Sequence, residues 1–423
     1  MTTWRKWAPP WCLATLVVLA VGCGAAGSTP TPKATVVSPV TSPVAAHRPG
    51  KPMWLQSLRM TSSRTGWGLD YSANPADPAV NGETLLARTI DGARTWTDVT
   101  PAAARPLLAT PNAGEVLDAV NGDRAYLAVT GSARESATAV STTVLFGTAD
   151  GGRTWTESAR LRAPGIVSLL TLAGDEDGWL VLDEGAAMGH NAVRMYRTTD
   201  GGRHWSLTAA TQPLTSATGG GIPVLCDKTG VAFATAAAGW LTSVCTVGLQ
   251  GELLVSRDGG VTWAPQPLPL PAGICGDAGC TLTGPQFTGG TGFLTVGVAA
   301  GTPSLLTTRN LGRSWTALPL PAHAGWYPRI TFFGPSQGVL VSAGSQGALG
   351  DVFYTTSDGG QRWRPVPQGV HFTQLGAAID FVSPRTGFAW IQGGDATGGS
   401  APDMYETTDS GRTWTSFAPK LNG

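Results

Sequence analysis

The sequence predicts an all-β fold, a seven-bladed β-propeller with four antiparallel strands in each blade. Three observations predict it. An octapeptide of the form "TADGGRTW" occurs seven times, with its final Trp at 96, 155, 205, 263, 315, 363 and 414, so successive copies lie 48 to 59 residues apart. A weaker signal, a turn followed by a small and then an apolar residue ("RTGWGL", "EDGWLV", "RTGFAW"), places its large residue 22 to 29 positions before each box Trp. Short β-branched and apolar runs broken by Gly, Pro, Asn, Asp and Ser fill the remainder, and no long helical pattern competes with them. A repeat that reads strand, tight turn, strand, variable loop, strand, Asp-containing turn, strand is the pattern of a propeller blade.

The N-terminus reads as an address rather than as part of that fold. Arg5 and Lys6 precede an apolar run, "CLATLVVLAV", and "VGCG" follows with small residues around Cys23. This resembles a bacterial lipoprotein signal over residues 1–22, in which Cys23 becomes the first mature residue and carries the lipid. Ala20 stands where that signal usually has Leu, so cleavage by ordinary signal peptidase, giving a secreted protein, or retention as an anchor is the alternative. Residues 23–51 are rich in Thr, Pro, Ser and Ala, bury too little apolar surface to fold, and read as an extended tether. The propeller then occupies 52–423. The expected location is the outer side of the bacterial cytoplasmic membrane, held there through Cys23.

Each box has a physical reading that needs no substrate. The acidic position is held by Asp91, Asp150, Asp200, Asp258, Asn310, Asp358 and Asp409. A carboxylate there accepts hydrogen bonds from backbone N–H groups just downstream and closes a local turn. The glycines permit positive φ, and Trp96, Trp155, Trp205, Trp263, Trp315, Trp363 and Trp414 supply large rings to wedge between blades. One active site cannot use seven symmetry-related copies. Asn310 keeps the turn acceptor while losing the base. The box Arg (94, 153, 203, 313, 412) reads as a solvated strand residue.

The octapeptides resemble the Asp-box of the BNR-repeat propellers. Together with the "GW" strand they are most similar to the photosystem II assembly and stability factor family, over the whole chain after the tether. The resemblance implies a seven-bladed, lipoprotein-type propeller and a non-enzymatic role as a protein-binding or assembly scaffold. Asp-boxes are shared with sialidases, sortilin-type receptors and xyloglucanases, so a glycan-binding or glycoside-hydrolysing propeller is the alternative.

In a four-stranded blade both recurring turns share one face, and the variable loops share the other, where binding residues are expected. On that loop face "HAGWYPR" (323 to 329) offers Trp326, Tyr327 and Arg329 as an aromatic and cationic contact patch, or as a cover for a blade junction. Four cysteines remain after the N-terminal region: Cys226, Cys245, Cys275 and Cys280. In an exported chain they imply disulfides, and of three possible pairings the repeat map favours Cys226–Cys245 with Cys275–Cys280. The spacing is not that of a zinc site.

Composition narrows the partners. The 28 basic and 28 acidic residues cancel, leaving no electrostatic footprint for nucleic acid. Sialidase chemistry needs an arginine triad and a Tyr–Glu pair, and four of the six tyrosines (126, 196, 354, 405) fall at repeat-determined packing positions. "GDEDGW" (174 to 179) reads as a solvated turn rather than a calcium site. No catalytic residue, cofactor or metal is expected. The expected partner of this monomeric domain is an unidentified protein or a cell-surface polymer.

Overall fold

A computed structural model describes residues 41–43, 53, 55–71, 84–110, 113–131, 140–187, 190–212, 221–224, 226–244, 252–271, 274–275, 279–298, 302–321, 324, 328–342, 352–367, 378–391 and 403–422. Apart from one short helix, Arg105–Leu108, the regular structure is all strand. Antiparallel hairpins follow the repeat. In the unit built around Asp150, for example, Gly114–Ala119, Ala125–Thr130, Val140–Thr148 and Thr154–Pro164 pair in chain order. The first strands of successive units pack side by side, as Ile166–Ala173 does against Gly114–Ala119 and against Asp227–Phe233. Leu55–Met60 of the first unit lies against Ala378–Phe381 of the last. The fold is a β-propeller.

The hydrogen bonding does not give seven separate sheets. The described strands form six, because a single pair, Val244 opposite Thr281, fuses the Asp258 and Asn310 units into one eight-stranded sheet. Three units carry a further strand on their outer edge. Lys420–Asn422 runs parallel to Thr95–Asp98, Ile222–Pro223 runs parallel to Ser206–Gln212, and Thr41–Pro43, from the expected tether, runs antiparallel to Thr154–Pro164. Of the four uncovered outer strands, Ala264–Pro265, Thr316–Pro319 and Arg364–Val366 each contain a proline, while Thr415–Phe417 does not. Proline has no N–H to offer a further strand and so protects an edge.

The box turn is built from side chains closing on the backbone. Asp150 Oδ1 accepts from the Thr154 amide at 3.0 Å, and Oδ2 accepts from the Thr154 hydroxyl at 2.6 Å. The Thr148 hydroxyl donates to Asp150 Oδ1 at 2.9 Å and accepts from the Gly152 amide at 2.9 Å. The same bonds recur around Asp91, Asp258 and Asp409. Partial burial pushes the Asp150 carboxyl up, but the bonds from Thr154 and Thr148 outweigh it and hold the group below the ordinary carboxylate range.

The turn demands two residues at positive φ. Gly151 and Gly152 supply it at 75° and 79° in this box, whereas Ala93, Leu311 and Ser410 adopt φ of 65°, 53° and 68° without being glycine. The second of the two also needs to be small, because a Cβ on Gly152 would lie 2.7 Å from Val99 Cβ of the preceding unit. The box therefore joins units as well as turning the chain. Trp155 Nε1 donates to the Val99 carbonyl at 2.7 Å, and its ring sits edge-on to Trp67, 6.2 Å between centroids. Trp67, Trp96, Trp155, Trp179, Trp240 and Trp390 are all fully buried.

Three outcomes follow for stability. Leu311→Gly removes left-handed strain and should stabilise the protein by about 1 kcal/mol, read as a raised melting midpoint. Asp150→Ala should cost about 1.5–3 kcal/mol, the range for hydrogen bonds to a charged group, and Asp150→Asn should cost less because it keeps an acceptor. The depressed Asp150 carboxyl adds stability above the ordinary carboxylate range that is lost as pH falls through its folded value. Acid unfolding of Asp150→Asn should accordingly be less steep than that of the wild type.

Candidate functional site

Both turns of each unit do share one face. The Gly151 amide donates to the Asp123 carbonyl at 2.8 Å, and equivalent bonds join Gly92 to Arg64, Gly201 to Glu176, Gly259 to Ala237 and Gly359 to Ser336. The opposite face carries the connections between second and third strands and between units. Of the residues expected to bind there, Arg329 is described and opens strand Arg329–Phe332, exposed, opposite Val341. Trp326, Tyr327 and Cys245 lie outside the described residues, as does Cys23. Cys275 and Cys280 form a disulfide, with 4.8 Å between their Cα atoms, and Cys226 is disulfide-bonded as well.

On this loop face the described residues concentrate polar chemistry between the Asp200 and Asp258 units. Cys226 has φ of 62°, which turns the incoming chain into strand Asp227–Phe233. The Cys226 amide donates to His190 Nδ1 at 3.0 Å, and the Lys228 ammonium donates to the Cys226 carbonyl at 2.9 Å. Asn191 bridges the two units, accepting from the Lys228 amide at 2.9 Å and donating to Asp183 Oδ2 at 2.9 Å. Glu184 and Arg194 form an ion pair beside them.

Lys228 is buried, with 5 % of its surface exposed. Burial brings its ammonium down to about 8, although the Glu252 and Asp227 carboxylates pull the other way. Burial likewise pushes the Glu252 carboxyl up, against the pull of Lys228. Asp227 Oδ1 and Glu252 Oε2 are buried and accept no hydrogen bond among the described residues. This arrangement is a buried polar junction: one cation, two carboxylates and an imidazole nitrogen already used as an acceptor. It can recognise polar groups. Among the described residues no three His, Cys, Asp or Glu side chains are placed to hold a metal ion.

Sequence reading did not single out Lys228, Asn191 or Glu252. The available signal was a lysine two residues after a cysteine, in the strand Asp227–Phe233. The box arginines also need correction. Arg94 lies in the turn, not in a strand, and is more than solvated: it pairs with Glu406 at 2.8 Å and sits over the Phe417 ring at 5.2 Å, joining the first unit to the last.

The fold and its turns define the class of protein: an Asp-box, or BNR-repeat, β-propeller. Within that class the chain resembles the photosystem II assembly factor family, since residues 221–387, which hold the boxes of Asp258, Asn310 and Asp358, match the profile described as photosynthesis system II assembly factor YCF48. Among solved structures, the xyloglucanase of glycoside hydrolase family 74 from Xanthomonas campestris is similar with a TM-score of 0.52 at 17% identity. That likeness covers 91% of this chain, which spans only 55% of the xyloglucanase. The BP39L lectin from Burkholderia pseudomallei gives 0.50 at 14% identity, covering 87% of this chain and 100% of the lectin. YCF48 bound to D1 peptide gives 0.44 at 17% identity, covering 82% of this chain and 95% of that one. At such identities the likenesses to the xyloglucanase and the lectin speak for the fold alone. No curated protein sequence matches the chain.

Lys228 sets a pH dependence whose sign is fixed. Its folded value lies below the ordinary lysine range, so the charged form is disfavoured by folding, and stability rises as pH climbs from about 8 towards the unfolded lysine value. Lys228→Met should remove that rise, checked by chemical denaturation between pH 7 and roughly 10.5, the unfolded lysine value.

Proposed function

We propose that this chain is an extracytoplasmic seven-bladed propeller, tethered by a lipid on Cys23 through residues 23–51. It binds another protein through its loop face as a non-enzymatic assembly scaffold. The observation that carries this reading is the match of residues 221–387 to the photosystem II assembly factor YCF48 profile, with the box pattern continuing outside the matched stretch. In this reading the eight-stranded sheet is two blades sharing one bridging pair. In this reading the polar junction around Lys228 and the described Arg329 belong to the binding face, and Trp326 and Tyr327, next to Arg329 in the sequence, are expected to contribute to it.

Anchoring and binding are tested separately. Cys23→Ala should move the protein from the membrane fraction to the soluble exported fraction. Residues 52–423, immobilised and exposed to detergent-solubilised membranes of the source organism, should capture a membrane protein. Trp326→Ala combined with Tyr327→Ala should reduce that capture at least tenfold, a difference of about 1.4 kcal/mol. Turnover of fluorogenic glycosides, abolished by the same pair of substitutions, would replace the scaffold with the glycan-active alternative.

A further inference from the structure

Where neighbouring units meet on the box face, a cleft runs between the second strand of one unit and the box of the next. In several units the chain fills it with its own arginine. Arg88, three residues before Asp91, lies over the Trp67 ring at 5.6 Å and donates to the Gly122 carbonyl at 2.8 Å. Its guanidinium occupies the space beside Gly151, where a Cβ would approach its carbon to 2.4 Å. Arg197, three residues before Asp200, repeats this over Trp179, at 5.3 Å, against Gly259 of the next unit. In the Asp258 unit, Arg257 does the same work from one residue before the Asp, donating to the Leu311 and Gly312 carbonyls at 3.0 Å each.

The Asn310 unit departs from this pattern in three ways. Thr307 stands where Arg88 and Arg197 stand in their units, and a cleft of about 420 Å³ opens between Phe293 on one wall and the Asp358 box on the other. Arg309 occupies the position equivalent to Arg257, lines the cleft, is exposed, and makes no hydrogen bond or ion pair among the described residues. The box carboxylate is absent. In the Asp150 box the Thr154 hydroxyl spends its proton on the carboxylate. Here Asn310 Nδ2 donates to the Ser314 Oγ at 2.8 Å, so the Ser314 proton is left to point elsewhere. Replacing Asp by Asn thus removes a negative charge from the cleft and frees a hydroxyl donor beside an unpaired guanidinium.

A second cleft of the same form makes the contrast. Between the Asp150 and Asp200 units Gly147 leaves about 380 Å³ open. There the box residue is a carboxylate, and Arg124 is engaged, donating to the Tyr126 hydroxyl at 2.7 Å and pairing with Asp175. The shape is shared, but the donor set is not. The remaining carboxylate lining the larger cleft, Asp358, accepts through Oδ1 from the Arg362 amide at 3.0 Å and the Thr356 hydroxyl at 2.9 Å, and the Arg362 guanidinium offsets its charge.

We infer that the cleft between the Asn310 and Asp358 units binds a carboxylate-bearing ligand, held by the Arg309 guanidinium and the Ser314 hydroxyl over the Phe293 side of the cleft. A charge-assisted bond from Arg to a carboxylate is the strongest single contact this donor set can make. The inference does not rest on the loop-face reading, since it concerns the opposite face.

Glutarate and its uncharged analogue glutaramide are the probes, with binding followed by amide chemical shifts of the ¹⁵N-labelled protein. Glutarate should shift the Arg309–Thr316 amides in a saturable manner, and glutaramide should bind at least tenfold more weakly. Arg309→Gln and Asn310→Asp should each weaken glutarate at least tenfold. Thr307→Arg, which restores the arginine that fills the cleft in the Asp91 and Asp200 units, should abolish the shifts while leaving the melting midpoint in place. Gly147→Arg in the other cleft should leave glutarate binding unchanged. The inference is overturned if glutarate gives no saturable shift, if glutaramide binds as well, or if Thr307→Arg or Arg309→Gln binds glutarate like the wild type.

Discussion

The structure depends on one interaction repeated around the ring: an acidic or amide side chain that accepts from the backbone amide four residues ahead, closing a turn that fits beneath the neighbouring unit. The closure fixes the backbone of the hairpin at positive φ. It also brings the box Trp back over its own unit and against the preceding one, so a local hydrogen-bond network sets the spacing between sheets. Each bond is modest alone, about 0.5–1.5 kcal/mol net for a neutral pair and more for a charged one. Their effect is large because each box controls the burial of an indole. Fully burying a ring of that size removes about 150–250 Å² from water.

Much of this was legible in the sequence. Seven boxes in register gave the all-β class, the positions of the hairpins and the sharing of one face by both turns. The box Trp residues were readable as packing residues because no other part of the repeat was so constant. Joints between units were not legible. That Arg88 and Arg197 stack on Trp67 and Trp179 and press against Gly151 and Gly259 depends on distances across neighbouring hairpins, which residue spacing does not encode. Nor was the fusion of two units through Val244 and Thr281 readable, since a single bridging pair leaves no pattern. The junction around Lys228 was missed for a related reason: its groups come from strands far apart in the chain, His190 and Asn191 at the start of one and Glu252 just before another.

The departures from the repeat carry as much information as the repeat. Asn310 shows that a box turn closes with a neutral acceptor, so the carboxylate elsewhere is a matter of strength rather than of geometry. Thr307 and Gly147 mark where an arginine is missing and a cleft opens. Symmetry argues against chemistry at the seven boxes taken together. It does not argue against a binding site at the one box that breaks the symmetry, and so the box face is not inert merely because its turns are structural.

The claim at the centre of this account is that a box is a joint between units and not only a turn within one. Native-state hydrogen exchange on Gly152→Ala tests it directly, because the added Cβ would meet Val99 of the preceding unit at 2.7 Å. The account predicts faster exchange on both sides of the joint, in the Asp150 hairpin and in strand Thr95–Asp98 with the residues that follow it. Faster exchange confined to the Asp150 hairpin, with the Val99 side unchanged, would contradict it.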